Sequence, residues 1–589
     1  MIRVGLKLTA AALVAGYAFV PASAALANTS AEYFRARLAQ TNVPELLNSS
    51  EREFYAELFR AIDREDWTKV DTMLADRKDG PLHQVAIAEY YTHANSPKVS
   101  VEQIAAWLGE GTELPQSEQL GRLGAKRGLE SIPAMPVERS FQRQPYSTKR
   151  ILPRSIEDGS MPGDVKSAIL DRIKSDDPDG ARVLLDGIDA SLSAEARAEW
   201  RQRVAWSYYI ENQDAASLNM ARTVADGSGP WVAEGEWVAG LAAWRLGDCG
   251  TSADAFARSA ARSSNPELTS AAHFWAGRAY TRCRQPSEAD RHYRAAAKFD
   301  ETLYGMLAFE QLGIELPAQH AAADFSPEDW HSLRDEKNVR VAVGLSEIGR
   351  SGLADEVLRH QARIGDPRDY GALSRLAREL GMPQTQLWMA HNAPYGTKAE
   401  PALRYPTAKW QPTTGWKVDP ALAFAHALQE SNFRTRAVSP ANARGLMQIT
   451  PITVRQHANR LEMNASYVNL DDPEVNLAFG QRNLEMLRDD PGTQGLLPKI
   501  MAAYNAGLTP VNRWNSEVRD QGDPLLYMES IPYWETRGYV AIVMRNYWMY
   551  ERQAGVRSPS REALAQGMWP MFPEVSGTRM AGRSDANRP

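Results

Sequence analysis

The sequence predicts an all-α protein in which an N-terminal helical solenoid precedes a second, compact helical domain. Between residues 31 and 380 the apolar residues recur at helical spacing, and strand-like alternation is scarce. Two segments of this region repeat each other, and the composition changes at 393–396. A chain of 589 residues is too long for one hydrophobic core, so several domains or a repeat array are expected.

The repeat in the first region has a period typical of paired helices. Gly240 and Gly277 stand 37 residues apart, as do the aromatic residues Phe256 and Tyr293 that follow them. A small residue where two helices approach, with an aromatic residue on the next helix, is typical of a helix-hairpin solenoid. The Trp-rich helices are expected to form its core, because large aromatic side chains at helical spacing fill the space between helices.

Proline, glycine and polar residues indicate where the parts of the chain begin and end. A stretch rich in Pro, Ser and Arg predicts a long irregular connection around 111–162, within a superhelical domain at 28–392. Prolines then predict a linker at 393–405 and a compact domain at 406–557. The polar end of the chain, 558–589, is expected to be a flexible tail.

The N-terminus has the pattern of an export signal at 1–27. Positive charge precedes an apolar run at 8–20 that is too short to span a bilayer, and small residues then fit cleavage before Ala25 or Asn28. The alternative is a buried first helix. No cysteine stands near the cleavage point to accept lipid, and no later apolar run has the length of a membrane span. We therefore expect an exported, periplasmic protein without a stable membrane anchor.

Charge and composition exclude several functions. The net charge of −6 is modest and both signs are interspersed, so the chain lacks the basic field that nucleic-acid binding needs. Ten histidines and two cysteines occur without HExxH, CxxC or similar ligand spacing, so neither a metal site nor a cofactor is predicted. The chemistry must depend on other side chains.

One carboxylate, Glu430, has a sequence context suited to acid–base chemistry. Asp419 and Pro420 indicate a helix start, and apolar residues within 422–428 give this helix a buried face. Glu430 then falls at the C-terminal end of the helix, where the helix dipole and apolar surroundings disfavour ionisation and raise its pKa. A general acid needs that property near neutral pH. Taken alone, a glutamate near a helix end is more often a solvated surface residue.

Aromatic and amide side chains gather in the segments that follow. Residues 445–451 lead into a helix with Thr450 as its N-cap, and 503–507 close another helix on a glycine. Tyr504 and Asn505 thereby come near a helix end. Because rings cover sugar faces while amides bond hydroxyl and acetamido groups, this combination is typical of a carbohydrate site.

Five short motifs stand in the order of one known family. They are QESNF at 429–433, AVS at 437–439, GLMQ at 445–448, AYNAG at 503–507 and IPYWETRGYV at 531–540. In this order, and behind a predicted signal peptide, they resemble the soluble lytic transglycosylase family. The resemblance covers most of the chain after the signal, strongly in the C-terminal part and weakly before it.

The resemblance implies a lysozyme-like helical catalytic domain and an upstream helical ring domain, with Glu430 as the catalytic acid/base. Thr450 departs from the family, which commonly has methionine there, and this affects one apolar sugar contact. The substrate-binding positions that the resemblance implies are Ser439, Gln448, Tyr504, Asn505, Glu535 and Tyr539.

Each of these positions also has a purely structural interpretation. Ser439 and Gln448 could bond only the backbone of their own turn. Tyr504 could be a core tyrosine whose hydroxyl is satisfied, and Glu535 could merely begin the last helix or pair with Arg537.

The implied reaction cleaves the β-1,4 bond between N-acetylmuramic acid and N-acetylglucosamine in peptidoglycan and leaves an anhydromuramoyl end. A glycosidase that uses two carboxylates is less consistent with the sequence, because only Glu430 has a suitable context. Two alternatives stay open: a goose-type hydrolytic muramidase, in which water replaces the C6 hydroxyl, and a non-catalytic glycan-binding scaffold. The solenoid could also bind cell-wall proteins, which the sequence does not identify.

The two cysteines follow corresponding helices of the two repeats. Adjacent repeats can bring Cys249 and Cys283 together, and an oxidising compartment favours a disulfide between them. The alternative is two separate buried thiols.

Overall fold

The structure is a computed structural model that describes residues 29–38, 41–317 and 323–575. Over these residues the prediction of an all-α fold is confirmed. The only sheet in this part of the chain has two short antiparallel strands, β1 (Phe141–Arg143) and β2 (Asn392–Pro394). No helix within it is long and apolar enough to cross a membrane. The predicted signal peptide at 1–27 lies outside the described residues.

The helices are numbered in chain order. They are α1 (Ser30–Leu38), α2 (Ser49–Asp63), α3 (Trp67–Asp76), α4 (His83–Thr92), α5 (Val101–Gly109), α6 (Ser117–Lys126), α7 (Gly163–Lys174), α8 (Pro178–Asp186), α9 (Ala194–Ile210), α10 (Asp214–Thr223), α11 (Trp231–Arg245), α12 (Cys249–Arg262), α13 (Pro266–Arg282), α14 (Pro286–Ala297), α15 (Leu303–Leu312), α16 (Pro327–Leu333), α17 (Lys337–Glu347), α18 (Ser351–Ile364), α19 (Tyr370–Glu379), α20 (Pro383–His391), α21 (Pro420–Ser431), α22 (Pro451–His457), α23 (Pro473–Asp489), α24 (Leu497–Ala506), α25 (Leu508–Glu517), α26 (Pro524–Ser530), α27 (Trp534–Gln553) and α28 (Pro559–Ala565). Single 3-10 turns lie at Asp189–Ser191, Val224–Asp226, Pro367–Asp369, Pro401–Arg404 and Ala458–Leu461.

Helices α2–α6 and α16–α20 share a hydrophobic core. Its buried side chains come from 43–120 and from 325–393. The chain leaves this core after α6, runs through α7–α15, and comes back to it at α16. The predicted superhelix therefore returns to its starting point instead of extending as an open arm.

Helices α7–α15 form the predicted solenoid, and the repeated glycines lie where helices touch. A Cβ at Gly240 would lie 2.6 Å from the ring of Phe256, and a Cβ at Gly277 would lie 2.7 Å from the ring of Tyr293. Only glycine allows this approach, which confirms the predicted packing of a small residue against an aromatic residue. Trp275 is fully buried in the same layer, so it is a core residue as predicted.

Cys249 begins α12, and Cys283 caps the end of α13. They form a disulfide, with Cα atoms 5.6 Å apart. The bond ties the start of one helix to the end of the next in the solenoid.

The C-terminal helices α21–α28 do not have a core of their own. Their buried side chains are continuous with those of α7–α15 and with Phe34 of α1. The ring of Phe34 packs edge-on against Phe424 and Tyr550, at centroid distances of 5.6 and 6.1 Å, and the hydroxyl of Ser30 bonds Asp419. Helix α1 thus belongs structurally to the C-terminal part, although it lies within the domain predicted at 28–392.

The prediction of a flexible tail from residue 558 is wrong for 558–575. Leu564 is fully buried, the indole of Trp548 donates to Ser560 Oγ at 2.9 Å, and Leu497 N–H donates to Pro570 O at 2.8 Å. Apolar residues between the prolines supply enough surface to pack. Residues 576–589 lie outside the described part.

Two other segments are more ordered than expected. Helix α6 occupies part of the irregular connection predicted at 111–162, so the stretch without helices is 127–162. The predicted linker at 393–405 begins in β2, which pairs with β1, and it ends in the buried residues Leu403 and Tyr405.

Candidate functional site

Glu430 lies in the last turn of α21, as the sequence predicts. Asp419 caps the helix by accepting a hydrogen bond from Ala421 N–H at 2.9 Å. The helix ends at Asn432 and Phe433, whose φ angles of 52° and 60° are both left-handed. Two consecutive non-glycine residues in this region are strained, and such strain is often found at functional sites. The sharp turn leaves Glu430 partly exposed at the end of an otherwise buried helix.

The surroundings of Glu430 favour its protonated form. Burial raises the pKa of Glu430 to about 7 from the ordinary 4.5. The hydroxyl of Tyr539 donates to Glu430 Oε1 at 2.7 Å and opposes this rise, because it stabilises the carboxylate. The negative charge of Glu535 adds to the rise. Near neutral pH the carboxyl can therefore both give and take a proton.

His426 lies behind Tyr539, and sequence reasoning missed it. Its Nδ1 is 2.7 Å from the Tyr539 hydroxyl, and complete burial lowers the pKa of His426 to about 3, so the ring is neutral. Because Tyr539 donates to Glu430, its oxygen accepts from His426 Nδ1–H, which leaves Nε2 as a buried nitrogen without a hydrogen-bond partner. His426 precedes Glu430 by four residues on one helix, and this spacing was the available signal.

Tyr504 lies beside the acid but bonds elsewhere. Its ring is stacked with that of Tyr539 at 6.5 Å and approaches His426 at 4.6 Å. Its hydroxyl donates to Met447 O at 2.8 Å. Burial, and then the charge of Glu430, raise the pKa of Tyr504, so the hydroxyl stays protonated. In this structure Tyr504 connects the loop at 445–448 to the acid.

The loop that carries Ser439 and Gln448 is folded on its own backbone. Ser439 Oγ accepts from Ala443 N–H at 3.0 Å, and the Gln448 amide donates to Gly445 O at 2.9 Å. Gln448 itself has a left-handed φ of 49°. Both residues therefore bond the backbone of their own turn, as the structural interpretation predicts. The Ser439 hydroxyl proton and the Gln448 amide oxygen remain available for other partners.

Asn476 on α23 holds this loop in place, and no motif of the sequence indicated it. Its Oδ1 accepts from Met447 N–H at 2.9 Å, and its Nδ2 donates to Arg444 O and Leu470 O, each at 2.9 Å. Gly445, at a φ of +73°, lies so close that a Cβ there would be 2.1 Å from Asn476 Nδ2. Glycine is required at this position for both conformation and space.

The remaining predicted positions lie around the start of α27. Glu535 is exposed in the first turn of the helix. Asn505 Oδ1 accepts from the Thr536 hydroxyl at 2.7 Å, which joins the end of α24 to α27. Of the predicted positions, Tyr539 bonds Glu430 directly, and Tyr504 packs against Tyr539 and His426.

Comparison with known proteins places this site in a recognised domain. Residues 410–526 match the family model described as the transglycosylase SLT domain. The matched range contains Glu430, the loop with Ser439 and Gln448, and the end of α24. Helix α27, with Glu535 and Tyr539, follows the matched range.

Relatives and solved structures agree with this match. The soluble lytic murein transglycosylases of Escherichia coli K12 and Salmonella typhimurium are each 35% identical, over 134 and 135 residues that cover 22% of this chain and 20% of theirs. A relative from Haemophilus influenzae is 33% identical over 215 residues, which are 35% of each chain. The matched parts therefore span about a third or less of these relatives.

A solved structure extends the likeness of the fold to most of the chain. The crystal structure of the 70 kDa soluble lytic transglycosylase of Escherichia coli superposes with a TM-score of 0.50 over 89% of this chain and 99% of that one, at 16% identity. Residues 410–526 of this chain therefore match a transglycosylase SLT domain, and the helical fold around them is similar to that of the Escherichia coli enzyme.

Proposed function

We propose that this protein is a peptidoglycan lytic transglycosylase with Glu430 as its catalytic residue. Its substrate is the β-1,4 bond between N-acetylmuramic acid and N-acetylglucosamine, and its product is an anhydromuramoyl end. The observation that carries the proposal is the single carboxyl of Glu430 at a helix end. Burial raises the pKa of this carboxyl to about 7. The relatives named as soluble lytic murein transglycosylases support murein as the substrate.

Glu430 acts first as an acid and then as a base. The protonated carboxyl gives its proton to the glycosidic oxygen, and the bond from that oxygen to C1 of muramic acid breaks. The acetamido oxygen of the same sugar attacks C1, which is a form of substrate assistance. The carboxylate of Glu430 then removes the proton of the C6 hydroxyl, and the C6 oxygen bonds C1 while the bond from C1 to the acetamido oxygen breaks. No water is consumed, and Glu430 is protonated again.

The contacts of Tyr539 suit both halves of this cycle. When Glu430 is ionised, the Tyr539 hydroxyl donates to it, while His426 Nδ1–H donates to the hydroxyl oxygen. When Glu430 carries its proton on Oε2, its Oε1 still accepts from the Tyr539 hydroxyl, so Tyr539 keeps two partners and His426 keeps its Nδ1 proton. Burial, and then the charge of Glu430, raise the pKa of Tyr539, which keeps the hydroxyl neutral throughout.

The other predicted positions are proposed to hold the sugar chain. The Ser439 hydroxyl proton and the Gln448 amide oxygen offer a donor and an acceptor beside the acid. Asn505 and the exposed Glu535 lie where α24 and α27 meet and can bond hydroxyl groups. We also propose that the enzyme is exported and acts in the periplasm, where murein is found.

Digestion of purified sacculi by the full-length protein tests this function. We expect anhydromuramoyl ends by mass spectrometry and no incorporation of heavy oxygen when the reaction runs in heavy-oxygen water. Glu430→Gln should abolish cleavage, because the amide cannot donate the required proton. Glu517→Gln, which changes an exposed carboxylate on α25, is the control and should cleave normally.

Two outcomes would replace the proposal. Reducing ends that carry heavy oxygen would identify the goose-type hydrolytic reaction. Binding of glycan without cleavage, in wild type and Glu430→Gln alike, would identify a scaffold.

A further inference from the structure

A cavity of about 160 Å³ lies between the solenoid and the start of α27. Side chains of α7, α9 and α11 form its solenoid wall, residues 150 and 152 of the irregular connection border it, and the segment 532–537 closes the opposite side. Four of the side chains that line it are indoles: Trp206, Trp231, Trp237 and Trp534. We call it the tryptophan cavity.

The tryptophan cavity contains a buried amide without a partner. Gln202 on α9 lines the cavity, and the residue is only 6% exposed. Its amide forms no hydrogen bond with any residue that the structure describes. Because a buried polar group without a partner costs stability, this amide indicates a ligand that completes its hydrogen bonds.

Indole and guanidinium groups add donors to the cavity. Nε and Nη2 of Arg537 both donate to Ile531 O, at 3.1 and 2.9 Å, and Nη1 has no acceptor among the described residues. Trp237 is 2% exposed, and its indole N–H bonds no residue in the described part of the chain. The guanidinium of Arg537 also lies 4.0 Å from the ring centroid of Trp206, and this contact holds both side chains in place.

Glutamates offset the positive charge of the arginines that line the cavity. Arg150 bonds both carboxylate oxygens of Glu234, at 2.5 and 2.7 Å. Arg203 pairs with Glu199 at 2.8 Å. Burial lowers the pKa of Arg537 to about 10, and the charge of Glu529 opposes this effect. The tryptophan cavity therefore favours a neutral ligand over an anion.

These properties match a single neutral sugar ring. Aromatic rings cover the apolar faces of a sugar, while amide and guanidinium groups bond its hydroxyl and acetamido groups. The cavity is smaller than the ~300 Å³ at which ligand pockets usually begin, so it has room for one ring but not for a chain of sugars. Of the two sugars of peptidoglycan, N-acetylglucosamine is neutral and carries neither a lactyl group nor a peptide.

The start of α27 contributes both to this cavity and to the proposed catalytic site. Trp534 and Arg537, three residues apart, line the tryptophan cavity. Tyr539 donates to Glu430, and the charge of Glu535, four residues before it, acts on the same carboxyl. Because residues three or four apart share a helix face, the two sites use different faces of the first turns of α27. One rigid element therefore fixes the distance between them.

We propose that the tryptophan cavity binds the N-acetylglucosamine residue at the non-reducing end of a glycan strand. This inference rests on the proposed function, because cleavage between N-acetylmuramic acid and N-acetylglucosamine leaves the latter sugar at the new non-reducing end. A cavity for one ring accepts a chain end, whereas a residue inside a chain has neighbours on both sides that need room. The occupied cavity increases the affinity of the protein for strands that carry this end.

Binding is tested by fluorine NMR on full-length protein labelled with 5-fluorotryptophan. The probe is methyl N-acetyl-β-glucosaminide, which resembles a terminal residue, and single Trp→Phe substitutions assign the four cavity resonances. We expect these resonances to shift saturably with the probe and less with methyl β-glucoside, which lacks the acetamido group. Gln202→Leu, which removes the amide, and Gln202→Trp, which fills the cavity, should abolish the shifts. Gln119→Leu, an exposed position on α6, is the matched control and should retain them.

Activity is tested on two forms of the same glycan strands. One form has N-acetylglucosamine at its non-reducing end, and the other has lost it to an exo-β-N-acetylglucosaminidase. We expect kcat/KM of wild type and Gln119→Leu to be about 2- to 10-fold lower on the trimmed strands, the range for loss of one hydrogen bond. Gln202→Leu should cleave both forms at the lower value. It should not melt below wild type, because it removes a buried amide without a partner.

The outcomes separate this inference from the proposed function. Unshifted cavity resonances in wild type, or shifts in Gln202→Leu as large as in wild type, would overturn the inference even if anhydromuramoyl ends form. Equal kcat/KM of wild type on both forms of strand would overturn it as well. Absence of anhydromuramoyl ends, with the probe bound in the cavity, would refute only the catalytic proposal.

Discussion

At the scale of single residues, opposing contacts set the proton affinity of Glu430. Burial at the end of α21 raises its pKa, while the hydrogen bond from Tyr539 lowers it. His426 is a positioning residue in this arrangement, since it holds the hydroxyl of Tyr539 from the other side. The pKa of about 7 is thus the balance of an apolar environment and one hydrogen bond.

Removing that hydrogen bond should move the pH profile. Tyr539→Phe deletes the donor that stabilises the carboxylate, so the pKa of Glu430 rises and the alkaline limb of kcat/KM moves to higher pH. His426→Phe leaves the Tyr539 hydroxyl in place but unsupported, so we expect a smaller shift in the same direction. Rates on soluble glycan strands between pH 5 and 9 measure both. Unshifted limbs in both variants would show that Tyr539 does not act on Glu430.

The raised pKa of Glu430 also has a cost in stability. The pKa of Glu430 in the folded protein is about 7 and exceeds the ordinary 4.5. The contribution of the protonated carboxyl to the free energy of unfolding is therefore fully present below pH 4.5 and is lost as the pH rises through 7. Glu430→Gln cannot ionise, so at pH 8 it should exceed wild type in free energy of unfolding by about 2 kcal/mol. At pH 4.5 the two proteins should nearly coincide. Urea denaturation at both pH values measures the difference, and a difference independent of pH would contradict the assigned pKa.

At the scale of secondary-structure elements, close approach between neighbouring helices shapes the solenoid. At Gly277 the backbone of α13 lies so near Tyr293 of α14 that no side chain fits, and Gly240 repeats the arrangement between α11 and α12. The disulfide then ties α12 to the end of α13. The repeat in the sequence is therefore a repeat of one interhelical contact.

The substitution Gly277→Ala tests this contact. The new Cβ would lie 2.7 Å from the ring of Tyr293, and such overpacking costs about 1–3 kcal/mol. We expect a lower melting temperature, measured by calorimetry, and partial recovery in Gly277→Ala/Tyr293→Leu. Gly352→Ala on α18 is the control, because its Cβ would meet nothing within 4 Å. If Gly277→Ala were as stable as this control, the close approach would be refuted.

At the scale of the whole molecule, the C-terminal domain depends on the rest of the chain. Arg278 of the solenoid pairs with Asp523 at 2.6 Å, and the Tyr304 hydroxyl donates to Glu529 at 2.6 Å. Phe34 completes its core from the other end of the chain. A cavity of about 540 Å³ lined by Arg359 of α18, Trp388 of α20 and Arg545 of α27 also requires helices from both parts.

An isolated 406–557 fragment should therefore fold poorly. It lacks Phe34, the packed segment 558–575 and the solenoid surface, so its apolar core faces water. We expect dye binding to exposed apolar surface, weak near-ultraviolet circular dichroism and little cleavage even of short soluble glycans. The full-length protein and a 406–575 fragment provide the comparison. A cooperative, active 406–557 fragment would show that the shared core is dispensable.

Sequence alone determined the features that depend on local pattern. Helical periodicity predicted the all-α fold, and the capping residues Asp419 and Thr450 predicted helix starts that the structure confirms. The paired glycines and aromatic residues predicted the contacts in the solenoid. The position of Glu430 at a helix end also follows from the cap and the helix length, whereas its catalytic role was implied by the resemblance of its motif.

Tertiary structure decided what depends on residues far apart in the chain. His426 and Asn476 have no motif of their own, and they matter because folding places them against Tyr539 and Met447. The packing of α1 and of 558–575 depends on apolar surface that only the folded C-terminal part offers. Lys149 and Arg434 line one cavity, although no periodicity connects them. Burial and hydrogen bonding across such separations are properties of the assembled fold, so local sequence patterns do not contain them.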